Sequence, residues 1–297
     1  MIFENMKLSD KSHFDELIAN NPLYIEPSNE QCFATLYCFS GDLSIKTAIE
    51  NDVIYIISEE RGEKVFYPPI AKTPEEFVSA IKNCIEYAKE NGFPFVTEGI
   101  TPVQKQAIDS YGKLYLHFEP DRNNYEYLYD PSEFTSYNER LQSYKIAQVK
   151  GFEKRYGSLR RPYVSSDMDE VEELFKVWLG DRNITEYDYN PMLCALKNID
   201  KLGLFATCLL YNEKIIGLSI GKIDDKNVGT VLFEKAEHKY FGSNAALVSY
   251  FAQDYLSDCK YVNRQEDMGI EGLRSSKLSY LVERFIVKYR VTLGFEF

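Results

Sequence analysis

Apolar positions along the chain fall into short runs separated by turn residues, and the runs switch between the two-residue period of strands and the longer period of helices. Val53-Ile54-Tyr55-Ile56-Ile57 predicts a buried strand, Val65-Phe66-Tyr67 a strand ending at Pro68-Pro69, and Phe33 to Phe39 a further β-rich run. Thr73-Pro74-Glu75-Glu76 opens a helix, with Thr73 as N-cap, Pro74 in the first turn and Glu76 closing a capping box. Its apolar stripe is Phe77, Ile81, Cys84, Ile85 and Ala88, and Gly92 ends it. Strands over Phe93 to Thr97 and Leu114 to Phe118 flank a short helix over Thr101 to Ser110. Asp121 to Tyr129 alternates tyrosine with other residues, predicting a strand with one polar and one aromatic face, and a long helix runs from Ser136 to Tyr156.

The second half repeats this grammar. Asp167-Met168-Asp169-Glu170 caps a helix reaching Leu179, and another helix fits Asn190 to Asp200. Leu204 to Tyr211, Lys214 to Lys222 and Val228 to Lys235 predict an antiparallel meander joined by polar turns. A helix from Gly242 to about Leu256, a strand from Cys259 to Asn263, a helix from Gly272 to Tyr280 and a strand-like stretch from Phe285 to Leu293 complete the chain. Helices, meander, helix, strand, helix and strand in this order resemble the N-acetyltransferase (GNAT) superfamily. The expected fold is therefore α/β (α+β): two tandem GNAT-like domains, residues 1–130 and 131–297, each a mixed, mostly antiparallel sheet flanked by helices.

A length of 297 residues suits two such domains. The net charge of −12 and pI near 4.9 disfavour generic nucleic-acid or anionic-membrane binding. One local exception runs from Ser136 to Arg161, where Arg140, Lys145, Lys150, Lys154, Arg155, Arg160 and Arg161 face only Glu139 and Glu153. Six scattered cysteines without a C-x-x-C pair read as reduced thiols, and three histidines away from them predict no metal site. The N-terminus has no signal-peptide pattern and no window approaches the ~18 apolar residues of a membrane span, so a cytoplasmic location is expected.

Candidate chemistry concentrates between Asn263 and Tyr280, where polar side chains and Gly269 and Gly272 stand at a strand-to-helix junction. Glu234 at the splayed end of a strand is a candidate general base, and Tyr280 a candidate general acid for a leaving group. Gly242, Ser243 and Asn244 open a helix where free N–H groups can hold an anion, the coenzyme A pyrophosphate position of acetyltransferases, although the loop lacks the usual glycine-rich, arginine- or glutamine-led pattern. Gly217-Leu218-Ser219-Ile220-Gly221 matches a nucleophile elbow, but it lies within a strand and reads as chance.

Three segments, Glu234-Lys235-Ala236, Asn263 to Arg274 and Lys277-Leu278-Ser279-Tyr280, resemble a bacterial family of unknown function related to the C-terminal domain of phosphatidylglycerol lysyltransferase. Tyr67-Pro68-Pro69 and Asp121 to Tyr129 agree with it in the first half. The resemblance implies paired GNAT-like domains akin to enzymes that move an aminoacyl group from tRNA to a lipid or peptidoglycan amine or hydroxyl. The family's dense basic run is diluted here at Asn138 to Ala147, which, with the acidic charge, disfavours tRNA as a partner.

The expected function is transfer of an acyl or aminoacyl group from acyl-CoA or aminoacyl-tRNA to a small amine or hydroxyl acceptor, with no tightly bound cofactor. In this reading Glu234 or Asp267 takes the acceptor proton, in a cleft between the domains. Asn263, Arg264, Arg274, Lys277, Arg122 and Tyr125 hold a charged substrate, and Gly269 and Gly272 let it approach the backbone. The alternative is a non-catalytic ligand- or partner-binding protein on a degenerate tandem fold.

Overall fold

The structure, a computed structural model, describes residues 1–60, 62–112, 114–136, 143–182 and 188–294. In chain order, the first half carries β1 (Glu4–Asn5), α1 (Lys11–Ile18), α2 (Phe33–Phe39), β2 (Lys46–Glu50), β3 (Val53–Glu60), β4 (Glu63–Ile70), α3 (Pro74–Glu90), β5 (Val96–Ile100), α4 (Pro102–Tyr111) and β6 (Leu116–Pro120). There follow β7 (Glu126–Tyr129), α5 (Ser132–Thr135), α6 (Ser143–Tyr156), β8 (Arg160–Pro162), α7 (Met168–Arg182), α8 (Tyr189–Lys197), α9 (Ile199–Leu202), β9 (Phe205–Tyr211), β10 (Lys214–Ile223) and β11 (Val228–Ala236). The chain ends with α10 (Ser243–Phe251), β12 (Tyr261–Asn263), α11 (Glu271–Leu278), β13 (Arg284–Ile286) and β14 (Tyr289–Leu293).

Two compact units result. One comprises Met1–Glu126, Glu266–Glu271 and Phe285–Phe297, the other Tyr127–Gln265 and Gly272–Arg284. Each contains a seven-stranded mixed sheet, in the orders β1-β2-β3-β4-β5-β14-β6 and β8-β9-β10-β11-β12-β7-β13. The two orders correspond place by place. An antiparallel meander leads to a parallel neighbour (β5 on β4, β12 on β11), and an antiparallel strand follows it (β14, β7). The sixth place in the first sheet is taken by the C-terminal strand β14, so a contiguous division at residue 130 gives way to a first unit assembled from three segments.

Local chemistry accounts for most elements. Thr73 accepts from the Glu76 N–H at 3.2 Å while Glu76 accepts from the Thr73 N–H at 3.1 Å, which satisfies two free donors at the start of α3. Phe77, Ile81, Cys84 and Ala88 on its inner face are fully covered. Each large apolar side chain buried in this way contributes about 1.5–3 kcal/mol. In the second unit α6 and α10 pack on the sheet through Phe152, Leu209, Ile216, Ala246, Leu247 and Tyr250.

Four expectations are corrected. Phe33–Phe39 is the helix α2, because an apolar run this short, buried on nearly every side, carries no period that separates helix from strand. β4 continues through Pro68-Pro69 to Ile70, since the two prolines fall in an irregularity of the β3 pairing, between Tyr67 opposite Ile56 and Ile70 opposite Ile54. Arg122–Asn124 is a 3-10 turn, and the strand after it is buried on both faces, so neither face meets solvent. Asp167 does not cap α7. Its carboxylate caps the 3-10 turn Ser165–Asp167 that leads into α7, accepting the Val164 N–H at 2.9 Å and Arg161 at 2.6 and 2.8 Å, while Glu170 accepts the Ile215 N–H at 2.7 Å.

Candidate functional site

The second unit opens where β11 and β12 part. Their last paired residues are Thr230 and Asn263; β11 continues to Ala236 beside β10, with Glu234 opposite Ser219. Beyond Asn263 the other chain turns toward β7: the Arg264 N–H donates to the Tyr127 carbonyl at 3.1 Å, and the Tyr127 N–H to the Gln265 carbonyl at 3.3 Å. Gln265 has φ of 58°, a left-handed conformation, and its N–H donates to the Asn263 side-chain oxygen at 2.8 Å. This turn puts Arg264 across the opening from Glu234.

Arg264 Nη2 donates to Glu234 Oε1 at 2.8 Å, with both side chains largely covered. The guanidinium also lies over the rings of Tyr280 and Phe134, 5.4 and 5.5 Å from their centroids. Burial pushes the Tyr280 hydroxyl up to about 12, against the opposing pull of Arg264, so it stays protonated at neutral pH. Lys145 Nζ stands 4.6 Å over the other partner of this arrangement, the Tyr280 ring. Burial, then the nearby Arg264, lowers the Lys145 ammonium below its ordinary range, while Glu234 opposes the shift. Glu133, also buried, accepts the Leu281 N–H at 2.9 Å and fixes the chain after Tyr280. The resulting cluster brings together two carboxylates, Glu234 and Glu133, two cations and a protonated phenol among aromatic rings.

The structure brings Glu234, Arg264 and Tyr280 together, and adds Lys145, Phe134 and Glu133, which sequence reasoning missed. Lys145 was visible only as one member of the basic run; Arg140 and Glu139 of that run, with residues 137–142, lie outside the described residues. Asn263 is buried and serves the Gln265 turn. Lys277 donates to the carbonyls of Arg264 and Gln265. Gly272 and Arg274 sit on α11, where nothing lies within 4 Å of a Cβ built at Gly272 and Arg274 is half-buried.

Asp267, Gly269, Arg122 and Tyr125 belong to the first unit. Asp267 is fully buried, takes Arg122 Nη1 at 3.2 Å and accepts the Gly269 N–H at 2.8 Å. Arg122 lies over the rings of Phe285 and Tyr125 at 4.9 and 5.5 Å. Gly269, with φ of 73°, leaves room for Asn123, whose Cγ would be 3.0 Å from an added Cβ. The same unit hides a second missed constellation: Lys288 Nζ is 2.6 Å from Glu126 and 2.8 Å from Glu30, and Glu266 accepts from the Asn29 amide at 2.6 Å. Burial, with Glu30 and Glu266 adding to it against Lys288, raises the Glu126 carboxyl to about 7. Burial works to lower the Lys288 ammonium, but Glu126, Glu30 and Glu266 outweigh it and hold the group above its ordinary range.

Gly242, Ser243 and Asn244 open α10, but much of this turn is committed to packing. Gly242 has φ of 80°, and a Cβ there would lie 2.3 Å from the Gln148 carbonyl oxygen. The Ser243 hydroxyl donates to the Glu237 carbonyl at 2.8 Å, while Asn244 is exposed. Ser219 is fully buried in the middle of β10, where no nucleophile elbow can form. Among the described residues no group of three or more His, Cys, Asp or Glu side chains is placed to hold a metal ion. None of the six cysteines is in a disulfide, and among the described residues no helix is long and apolar enough to cross a membrane.

The matching sheet orders, with parallel strands that part beyond a meander, define a tandem GNAT-like fold. The chain belongs to the phosphatidylglycerol lysyltransferase C-terminal family, whose profile matches residues 23–292. A conserved protein of unknown function from Bacteroides thetaiotaomicron superposes with a TM-score of 0.88 at 22% identity, covering 99% of this chain and 100% of that one. L-PGS from Bacillus licheniformis superposes with a TM-score of 0.70 at 15% identity, covering 100% of this chain and 95% of that one. An uncharacterized protein of Mycoplasmoides gallisepticum is 24% identical over 264 residues, 85% of this chain and 82% of its own length.

Proposed function

We propose that the second unit transfers an aminoacyl group from an activated ester to a small amine or hydroxyl acceptor. The observation that carries this reading is the Glu234–Arg264 pair across the opening of β11 and β12, with the protonated Tyr280 beside it. Glu234 takes the acceptor's proton as its nitrogen or oxygen attacks the donor carbonyl carbon; the new C–N or C–O bond forms and the ester C–O bond breaks. Tyr280 gives its proton to the departing oxygen, and its acidity, pushed toward that of an alcohol, matches such a leaving group. Arg264 and Lys145 supply positive charge for the oxyanion that develops between these steps. Solvent then carries the proton from Glu234 back to Tyr280.

An ester donor is preferred to acyl-CoA because the Gly242 turn is packed against the Gln148 backbone and the Ser243 hydroxyl already has a carbonyl partner. Lys150, Lys154 and Arg155, exposed on α6, favour tRNA as the carrier despite the net charge of −12. A second reading, binding without catalysis, draws on the packing of Tyr129, Phe134 and Tyr280 against one another beside Arg264.

Calorimetric titration with free CoA, acetyl-CoA and a non-reactive 3′-aminoacylamino-adenosine separates these readings. The ester reading predicts binding of the adenosine mimic alone, together with loss of label from aminoacyl-tRNA. Acetyl transfer from acetyl-CoA would overturn the ester donor, and mimic binding without any transfer would establish the second reading.

A further inference from the structure

We infer that Lys277 is a positioning residue that holds Arg264 against Glu234, and not a group that touches substrate; this rests on the reading of that pair as the transfer site. Arg264 occupies the first position after β12, where no neighbouring β11 residue pairs with its backbone. Its direction therefore depends on β7, whose Tyr127 carbonyl accepts the Arg264 N–H at 3.1 Å, and on the turn that follows. Gln265 is a non-glycine residue in the left-handed region, a conformation that persists only where its surroundings enforce it. Asn263 fixes the turn from one side by accepting the Gln265 N–H at 2.8 Å. Lys277 fixes it from the other, donating to the Arg264 carbonyl and, at 3.2 Å, to the Gln265 carbonyl.

The strut is itself anchored. Tyr129 donates its hydroxyl to the Lys277 carbonyl at 2.9 Å, tying this point of α11 to β7, and the Lys277 ammonium lies 5.7 Å from the centroid of the Tyr127 ring. Tyr127 is also the residue whose backbone pairs with Arg264 and Gln265. An ammonium spanning two successive carbonyls neutralises the dipoles that the turn forces together, which a neutral side chain of the same length does not. The consequence is carried to the guanidinium: with the turn locked, Arg264 Nη2 stays 2.8 Å from Glu234.

The test compares Lys277→Cys before and after alkylation with 2-bromoethylamine, which rebuilds a lysine-like ammonium on the same backbone; wild type treated in parallel controls for the native cysteines. Two signals are read: the guanidinium NMR resonances of Arg264, assigned by their loss in Arg264→Lys, and the steady-state constants for aminoacyl transfer. The inference expects the Arg264 signals to collapse by fast rotation in Lys277→Cys and to return on alkylation. It expects kcat to fall about 10–100-fold and recover likewise, with KM within about twofold throughout. Lys277→Gln, which can donate without charge, should lie between. Unchanged Arg264 signals in Lys277→Cys, or a raised KM with kcat held, would overturn the positioning role. Absence of transfer in wild type would remove the transfer reading alone, since the NMR comparison still decides whether Lys277 holds Arg264.

Discussion

Arg264 and Glu234 meet at 2.8 Å across the gap between two parallel strands that have just stopped pairing, so a salt bridge stands where backbone hydrogen bonds end. The pair can be opened from one side without breaking the sheet. Arg264→Ala should abolish transfer and leave Glu234 partly buried without its cation, costing about 1–3 kcal/mol of stability. Glu234→Gln keeps a hydrogen-bond acceptor for Arg264 and should retain the wild-type urea midpoint while losing activity. Equal stability losses in both variants would instead make the pair a structural strut.

Tyr280 gives an independent handle on proton donation. Tyr280→Phe preserves the ring that Lys145 and Arg264 lie over, and removes only the hydroxyl. The expected outcome is a fall in transfer of about 10²-fold or more with an alkoxide leaving group, recovered in part with a more acidic phenyl ester donor. Equal losses for both donors would show that the hydroxyl positions rather than donates.

The buried cluster of the first unit sets a pH dependence. A carboxyl raised to about 7 in the folded chain, against 4.5 as the reference, binds protons more tightly folded than unfolded. Its stabilising contribution is full below about 4.5 and is lost as pH rises through about 7. Compared with Glu126→Gln, wild type should therefore become relatively less stable between those limits, read from urea midpoints at each pH. Lys288→Met removes the cation facing Glu126 and Glu30 and should cost about 3–5 kcal/mol at neutral pH, less at pH 5 where carboxyls take up protons.

Gly242→Ala distinguishes packing from anion binding at the start of α10. The added methyl would meet the Gln148 carbonyl oxygen at 2.3 Å in a backbone with φ of 80°. A loss of about 2 kcal/mol or more in chemical denaturation is expected, with no recovery on adding CoA. Unchanged stability with altered CoA affinity would restore the coenzyme-loop reading.

Much of the second unit was legible because its meander carries polar turns at each reversal and its helices keep an apolar stripe. The Asn263 to Tyr280 motif stands out in the sequence as a candidate site because glycines and charges crowd a strand-to-helix junction, yet the contacts within it do not follow from that pattern. Asn263 and Lys277 look like ligands in sequence; in three dimensions they hold a backbone turn. Lys145 joins the site from a helix far earlier in the chain, and no local pattern distinguishes it from Lys150 or Lys154. Lys288 stood inside an apolar run, where its burial depends wholly on carboxylates from other segments. The three-segment first unit was equally hidden, because β14 finds its sheet through long-range pairing with β5 and β6 rather than through local propensity.

The central claim is tested most directly by following radiolabel from aminoacyl-tRNA into a panel of small amine and hydroxyl acceptors, with wild type beside Glu234→Gln. The account predicts an enzyme-dependent labelled product with wild type and a rate at least ~10²-fold lower with Glu234→Gln at unchanged melting temperature. Equal rates for the two proteins, or no product from wild type that nonetheless binds the aminoacyl mimic, would contradict it.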